Sequence, residues 1–136
     1  MQPVKPRRLQ FSVGWSILLA VACCAQMALA EKKVVTDQDK GGTIQMKLGD
    51  TLEVRLSANP STGYMWYLHP KSTALLKLAK QTQTDPEEPG VGRPILQVFT
   101  FEPRRVGDGI LLLRYVRSWE KPVLGEQQFT LNVAVE

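Results

Sequence analysis

Thr51-Leu52-Glu53-Val54-Arg55-Leu56-Ser57-Ala58 is the stretch that decides the fold. Leu52, Val54 and Leu56 alternate with Glu53, Arg55 and Ser57, so one face is apolar and the other wet. Side chains point to opposite faces of a strand with a period of two, and this pattern predicts a half-buried β-strand. Just upstream, Ile44, Met46 and Leu48 alternate with Gln45 and Lys47, and Gly49-Asp50 supplies the turn that joins the two runs.

The same grammar continues downstream. Tyr64 to Leu68 predicts a short buried strand. Ala74 to Lys80 fits a strand or a single helical turn equally well. Gln81 to Gly92 reads as a polar, Pro/Gly-rich loop that holds Asp85, Glu87 and Glu88. Ile95 to Phe101 predicts a strand with Phe99 and Phe101 on one face, and Arg104 to Gly109 a turn. Ile110 to Val116 is expected to turn Leu111, Leu113 and Tyr115 inward. After a loop over Ser118 to Gly125, Phe129, Leu131, Val133 and Val135 form a last alternating strand. Short strands between turns, with little helical periodicity, predict an all-β domain: an immunoglobulin-like β-sandwich or barrel of about seven to eight antiparallel strands. Trp66 is expected in its core, where such sandwiches bury a tryptophan.

Upstream of this domain the composition changes. Lys5, Arg7 and Arg8 form a basic segment, and Phe11 to Ala22 is apolar but short for a bilayer span. Ala28-Leu29-Ala30 matches a small-residue cleavage site. Residues 1–30 therefore read as a signal peptide, 31–40 as a flexible polar leader, and 41–136 as the domain. The processed chain would begin at Glu31 and be exported, to the periplasm or the medium. Lipidation at Cys23 is the minor alternative.

Processing changes the chemistry available. Cys23 and Cys24 are the only cysteines, and both lie in the segment to be removed. The exported domain would have no disulfide and no thiol nucleophile. Without Lys5, Arg7 and Arg8, 14 of the 17 basic residues remain against 13 acids, and the net charge falls from +4 to +1. With no basic run left, nucleic acid is not an expected partner. His69 is the single histidine and precedes Pro70. A Cys-His pair is impossible, and no G-x-S-x-G elbow accompanies a serine. Gly90-Val91-Gly92 does not open a helix as a phosphate loop must. Asp85, Glu87 and Glu88 lack the spacing of a calcium loop. No enzymatic activity, cofactor, metal or small-molecule substrate is expected.

Three loops carry more information. Asn59-Pro60-Ser61-Thr62-Gly63-Tyr64 combines a fixed proline φ with a permissive glycine. From Ser57 to Leu68 only Tyr64 is ionisable, so this loop can enter a dry cleft without stripping water from a charge. By composition alone it reads first as an ordinary tight turn. Pro89 to Arg93 forms the second loop, and Arg117-Ser118-Trp119 the third. Tryptophan and arginine are favoured at binding hot spots. Trp119 could instead fold back on the core, or Arg117 could stack on it. Alternate connections of an immunoglobulin-like sandwich gather at one end, where the three loops would form one tip.

With these loops the sequence resembles the chagasin family of cysteine-protease inhibitors, which carry N-P-T-T-G-(Y/F), G-x-G-G and R-P-W loops in that order. Here the first is Asn59, Pro60, Ser61, Thr62, Gly63 and Tyr64, the second Gly90, Val91, Gly92 and Arg93, and the third Arg117, Ser118 and Trp119. Three residues depart from the family pattern: Ser61 for threonine, Arg93 for glycine and Ser118 for proline. The resemblance implies an immunoglobulin-like fold that is monomeric when free. It also implies reversible, non-covalent competitive inhibition of papain-like cysteine proteases. Ser61, Thr62 and Gly63 would lie nearest the protease's catalytic cysteine and histidine. Arg117 and Trp119 would pack on one wall of the cleft and Gly90 to Arg93 on the other. A periplasmic or surface immunoglobulin-like domain with a non-protease partner is the alternative.

Overall fold

The computed structural model describes residues 2–4, 29–84, 92–121 and 125–136. The predicted signal peptide lies outside these residues except at 2–4 and 29–30. Gly90, Val91 and the acidic Asp85, Glu87 and Glu88 also lie outside them.

Eight strands form two four-stranded sheets. They are β1 (Lys32–Thr36), β2 (Thr43–Met46), β3 (Thr51–Ala58), β4 (Tyr64–Leu68), β5 (Leu76–Thr84), β6 (Ile95–Pro103), β7 (Gly107–Arg117) and β8 (Gln127–Val135). One sheet has the order β1-β3-β6-β5 and the other β2-β8-β7-β4. The alternating residues meet as their pattern requires. Leu52, Val54 and Leu56 of β3 and Phe99 and Phe101 of β6 pack with Leu111 and Leu113 of β7 and Phe129, Leu131 and Val133 of β8. Trp66 joins this core, as expected.

Three expectations are corrected. The sheets are mixed and not wholly antiparallel, because β1 runs parallel to β3 and β2 parallel to β8. The flexible leader is instead strand β1. Val35 is buried in the core, and Lys32 pairs with Glu53 of β3 at 2.5 Å. A capping box between Thr36 and Asp39 then stops the strand. Its residues look like a loop because most of them are polar and their partners lie far along the chain. Of Ala74 to Lys80, the residues from Leu76 on are strand, and β5 continues through Gln81–Thr84, where the sequence predicts a loop.

β4 is an edge strand, yet its open side is not bare. The side chain of Gln97, almost fully buried, accepts from Trp66 N at 2.7 Å and donates to Trp66 O at 3.3 Å. Trp66 Nε1 also donates to Ser57 O at 2.9 Å. These bonds tie β4 to β6 and β3 of the opposite sheet. They fix the direction in which the chain leaves β3, turns, and enters β4.

Candidate functional site

That turn is the first loop. Asn59 is extended at φ −119°, as a residue before proline must be. Pro60–Thr62 then make one 3-10 turn, which ends at Gly63 with φ +80°. The turn is closed by bonds from Thr62 N to Asn59 O and from Gly63 N to Pro60 O. Side chains add to it: the Ser61 hydroxyl donates to Asn59 Oδ1 at 2.6 Å, and the Thr62 hydroxyl donates to Asn59 O at 2.7 Å. Ser61 and Thr62 remain exposed at the apex.

An aromatic stack carries rigidity from the core to this apex. Tyr115 lies 4.9 Å from Trp66 and 5.4 Å from Tyr64, ring centre to ring centre. The Tyr115 hydroxyl accepts from Asn59 N at 2.9 Å. Arg117 closes the stack with its guanidinium 4.5 Å above the Tyr64 ring. Its Nε donates to Thr62 O at 2.9 Å, and its Nη1 donates to Glu120 Oε1 at 3.0 Å. Glu120 thereby holds the Arg117 proton more firmly than in a free arginine.

The first loop touches both of the others. Asn59 Nδ2 donates to Gly92 O at 3.5 Å, and the Trp119 ring lies against Gly63. Of the two structural readings of the third loop, neither holds: Trp119 covers the first loop and not the core, and Arg117 stacks on Tyr64 and not on Trp119. Trp119 stays 70% exposed, an unusual position for so large an apolar ring unless a partner covers it. Ser118 is exposed, and so are Gly92 and Arg93 on the other flank. Beside the first and third loops runs a groove of about 530 Å³, bordered by Tyr64, Tyr115, Glu120 and Lys121.

Sequence reading missed Glu120 and the Tyr115 hydroxyl as supports of the tip. Glu120 stands three residues after Arg117, a spacing that could have signalled the ion pair. Tyr115 is 56 residues from Asn59, and no local pattern announces that contact. His69 takes no part in the tip. Its Nδ1 accepts from Lys71 N at 2.9 Å, which closes the turn after β4. No group of three His, Cys, Asp or Glu suited to a metal ion occurs among the described residues.

Comparison with known proteins finds the same architecture elsewhere. Residues 45–133 match the sequence profile described as chagasin family peptidase inhibitor. Amoebiasin-2 of Entamoeba histolytica is 29% identical over 122 residues, which span 88% of this chain and 96% of that protein. The crystal structure of the cysteine protease inhibitor EhICP2 from Entamoeba histolytica superposes with a TM-score of 0.69 at 27% identity, over 79% of this chain and 97% of its own. A structure of PbICP-C in complex with falcipain-2 superposes with a TM-score of 0.51 at 18% identity, over 79% of this chain and 91% of its own.

Proposed function

Since the chain belongs to the chagasin family of cysteine-protease inhibitors and is not an enzyme, we propose that it blocks papain-like proteases reversibly and competitively, by inserting the tip of the sandwich into the active-site cleft. The observation that carries this reading is the bracing of the first loop by both neighbours, through Gly92 on one side and Arg117 and Trp119 on the other. A preformed loop loses little conformational entropy on binding. It also brings no charge that must be stripped of water.

The chemistry of the apex explains how such a loop would resist cleavage. A protease must draw a peptide carbonyl toward its nucleophile and its oxyanion donors. Here the carbonyls of Asn59 and Thr62 are already engaged by Thr62 Oγ1 and Arg117 Nε. The 3-10 turn also holds Pro60–Thr62 away from an extended conformation. In this arrangement Ser61, Thr62 and Gly63 sit over the catalytic pair, Trp119 packs on one wall, and Gly92 and Arg93 face the other. Arg117 acts from behind as a brace more than as a contact. The inhibitor is exported, acts as a monomer, and forms no covalent bond with the protease. The falcipain-2 complex of PbICP-C supports a cysteine protease as the partner.

The test is titration of residues 31–136 against a papain-like protease with a small peptide substrate. The expected result is competitive inhibition with a constant below about 1 μM. A folded protein that leaves several such proteases untouched overturns the proposal.

A further inference from the structure

The opposite end of the sandwich holds a second arrangement, independent of the tip. Asp50, in the turn between β2 and β3, is only 5% exposed. Its Oδ2 accepts from Lys47 N at 2.8 Å, a local bond that closes the turn between β2 and β3. Its Oδ1 accepts from Glu31 N at 3.0 Å, a contact that the turn does not need. Glu31 O in turn accepts from Thr51 N at 2.9 Å. Glu31 is thus docked at both its backbone nitrogen and its carbonyl. It is also the residue that follows Ala28-Leu29-Ala30.

A cavity of about 290 Å³ opens at this contact, with Leu29 on its wall. The charged side chains around it are Lys33 from β1, Lys47 from the turn after β2, Glu31, Asp50, and Glu136 beyond β8. Two cations therefore face three side-chain carboxylates, a setting that favours a further positive charge.

We propose that Asp50 is the receptor for the α-ammonium created when the leader is cut between Ala30 and Glu31. Hydrolysis adds water across that peptide bond: Ala30 departs with the carboxylate, and Glu31 keeps the nitrogen, which takes up a proton. The nitrogen need not move, because it already lies at hydrogen-bond distance from Oδ1. The hydrogen bond, so far from a neutral amide to a carboxylate, becomes an ion pair in which both partners are charged. The two added N–H groups point into the space along which Leu29 and Ala30 had run. Cleavage at Glu31 would thus tighten the attachment of β1 to β3. Lipidation at Cys23 would leave Glu31 an amide and the site without its charge. Asp50 and Asn59 flank β3 at its opposite ends, about 30 Å apart along the strand, so processing would leave the tip undisturbed.

The pH dependence follows from the sign of the pairing. Asp50, as an adjacent negative charge, raises the proton affinity of the α-amine in the folded state. The stability gained is fully present below the ordinary α-amine value of about 7.7–8.0 and is lost as pH rises through the higher folded value.

Two measurements test this. The protein exported from cells that express the whole chain is sequenced from its N-terminus and weighed intact. A start at Glu31 is expected, and a lipid-bearing start at Cys23 overturns the proposal. Thermal midpoints are then compared for residues 31–136 with a free amine and with Glu31 acetylated, a change that alters no side chain. Near pH 6.5 the free amine should melt higher by on the order of 4 °C, and the gap should close by about pH 10. In Asp50→Asn the gap should be absent at both pH values. Equal midpoints for the free and acetylated forms at pH 6.5 overturn the proposal, whatever the Asp50 variant does.

Discussion

The indole of Trp119 covers the face of Gly63 from which a side chain would project. A Cβ built on Gly63 would collide with Cη2 of that ring and come within 2.9 Å of Cζ2. The φ of +80° is a further barrier to any L-residue. Gly63→Ala must therefore push the ring aside or unwind the end of the 3-10 turn. The expected result is inhibition weaker by about tenfold or more, from a strain of about 1–2 kcal/mol at the apex. The thermal midpoint should fall too, by about 4 °C or more, since the strain also weakens the folded state. An unchanged inhibition constant would show that the geometry of Gly63 is irrelevant to binding.

Trp119→Ala separates binding from folding more sharply. The ring is largely exposed, so its loss should cost the free protein little. In a complex the ring would be buried, and a hot-spot tryptophan contributes about 2 kcal/mol or more, equivalent to roughly 30-fold in affinity. Inhibition titrations and melting curves on the same preparations check this. If both the inhibition constant and the melting curve match those of the parent, the third loop is not part of the binding surface.

A mutation in the core should show the reverse. The Gln97 side chain satisfies both the N–H and the C=O of Trp66 on the open side of β4. Gln97→Leu keeps the approximate volume but strands those two groups away from water, at about 1–3 kcal/mol each. The denaturation midpoint should drop markedly with the slope unchanged. A midpoint within experimental error of the parent would mean that water replaces the amide.

Much of this molecule was legible in its alternation. Leu52, Val54 and Leu56, and the series from Phe129 to Val135, are buried as their period of two requires. The first loop was legible because proline and glycine constrain the backbone locally. Contacts set by the third dimension were not legible. Nothing near Gln97 indicates that it will meet Trp66, 31 residues away in the other sheet. Val34-Val35 among lysines does not announce a parallel strand, because its partner strand begins 19 residues on from Lys32, at Thr51. The tip residues were identifiable from motif order, yet their mutual bracing through Tyr115 and Glu120 depends on register between β4 and β7. Register is a property of the pair, and neither strand encodes it alone.

The attachment of β1 makes the last expectation one about acid. Glu53 is held below its ordinary value near 4.5, first by the hydrogen bond from Lys32 and then by Arg55, against the opposing effect of burial. Lys32 holds Oε2 and Arg55 reaches Oε1 with two nitrogens, each at 2.6 Å, so the carboxylate links β1 to the outer face of β3. A depressed carboxylate contributes stability that is present above its unfolded value and is lost as pH falls through the folded one. Asp50 acts in the same sense from an ordinary value of 3.8. Stability should therefore hold down to about pH 4.5 and decline below it. Amides of Val34 and Val35 should be among the first to exchange with solvent as β1 lifts. Glu53→Gln removes the charge at every pH: it should lower the midpoint near neutrality and flatten the decline in acid. Melting curves from pH 7 to pH 3, with hydrogen exchange at β1, decide the matter. A variant whose acid limb is as steep as the parent's would place the titrating group elsewhere.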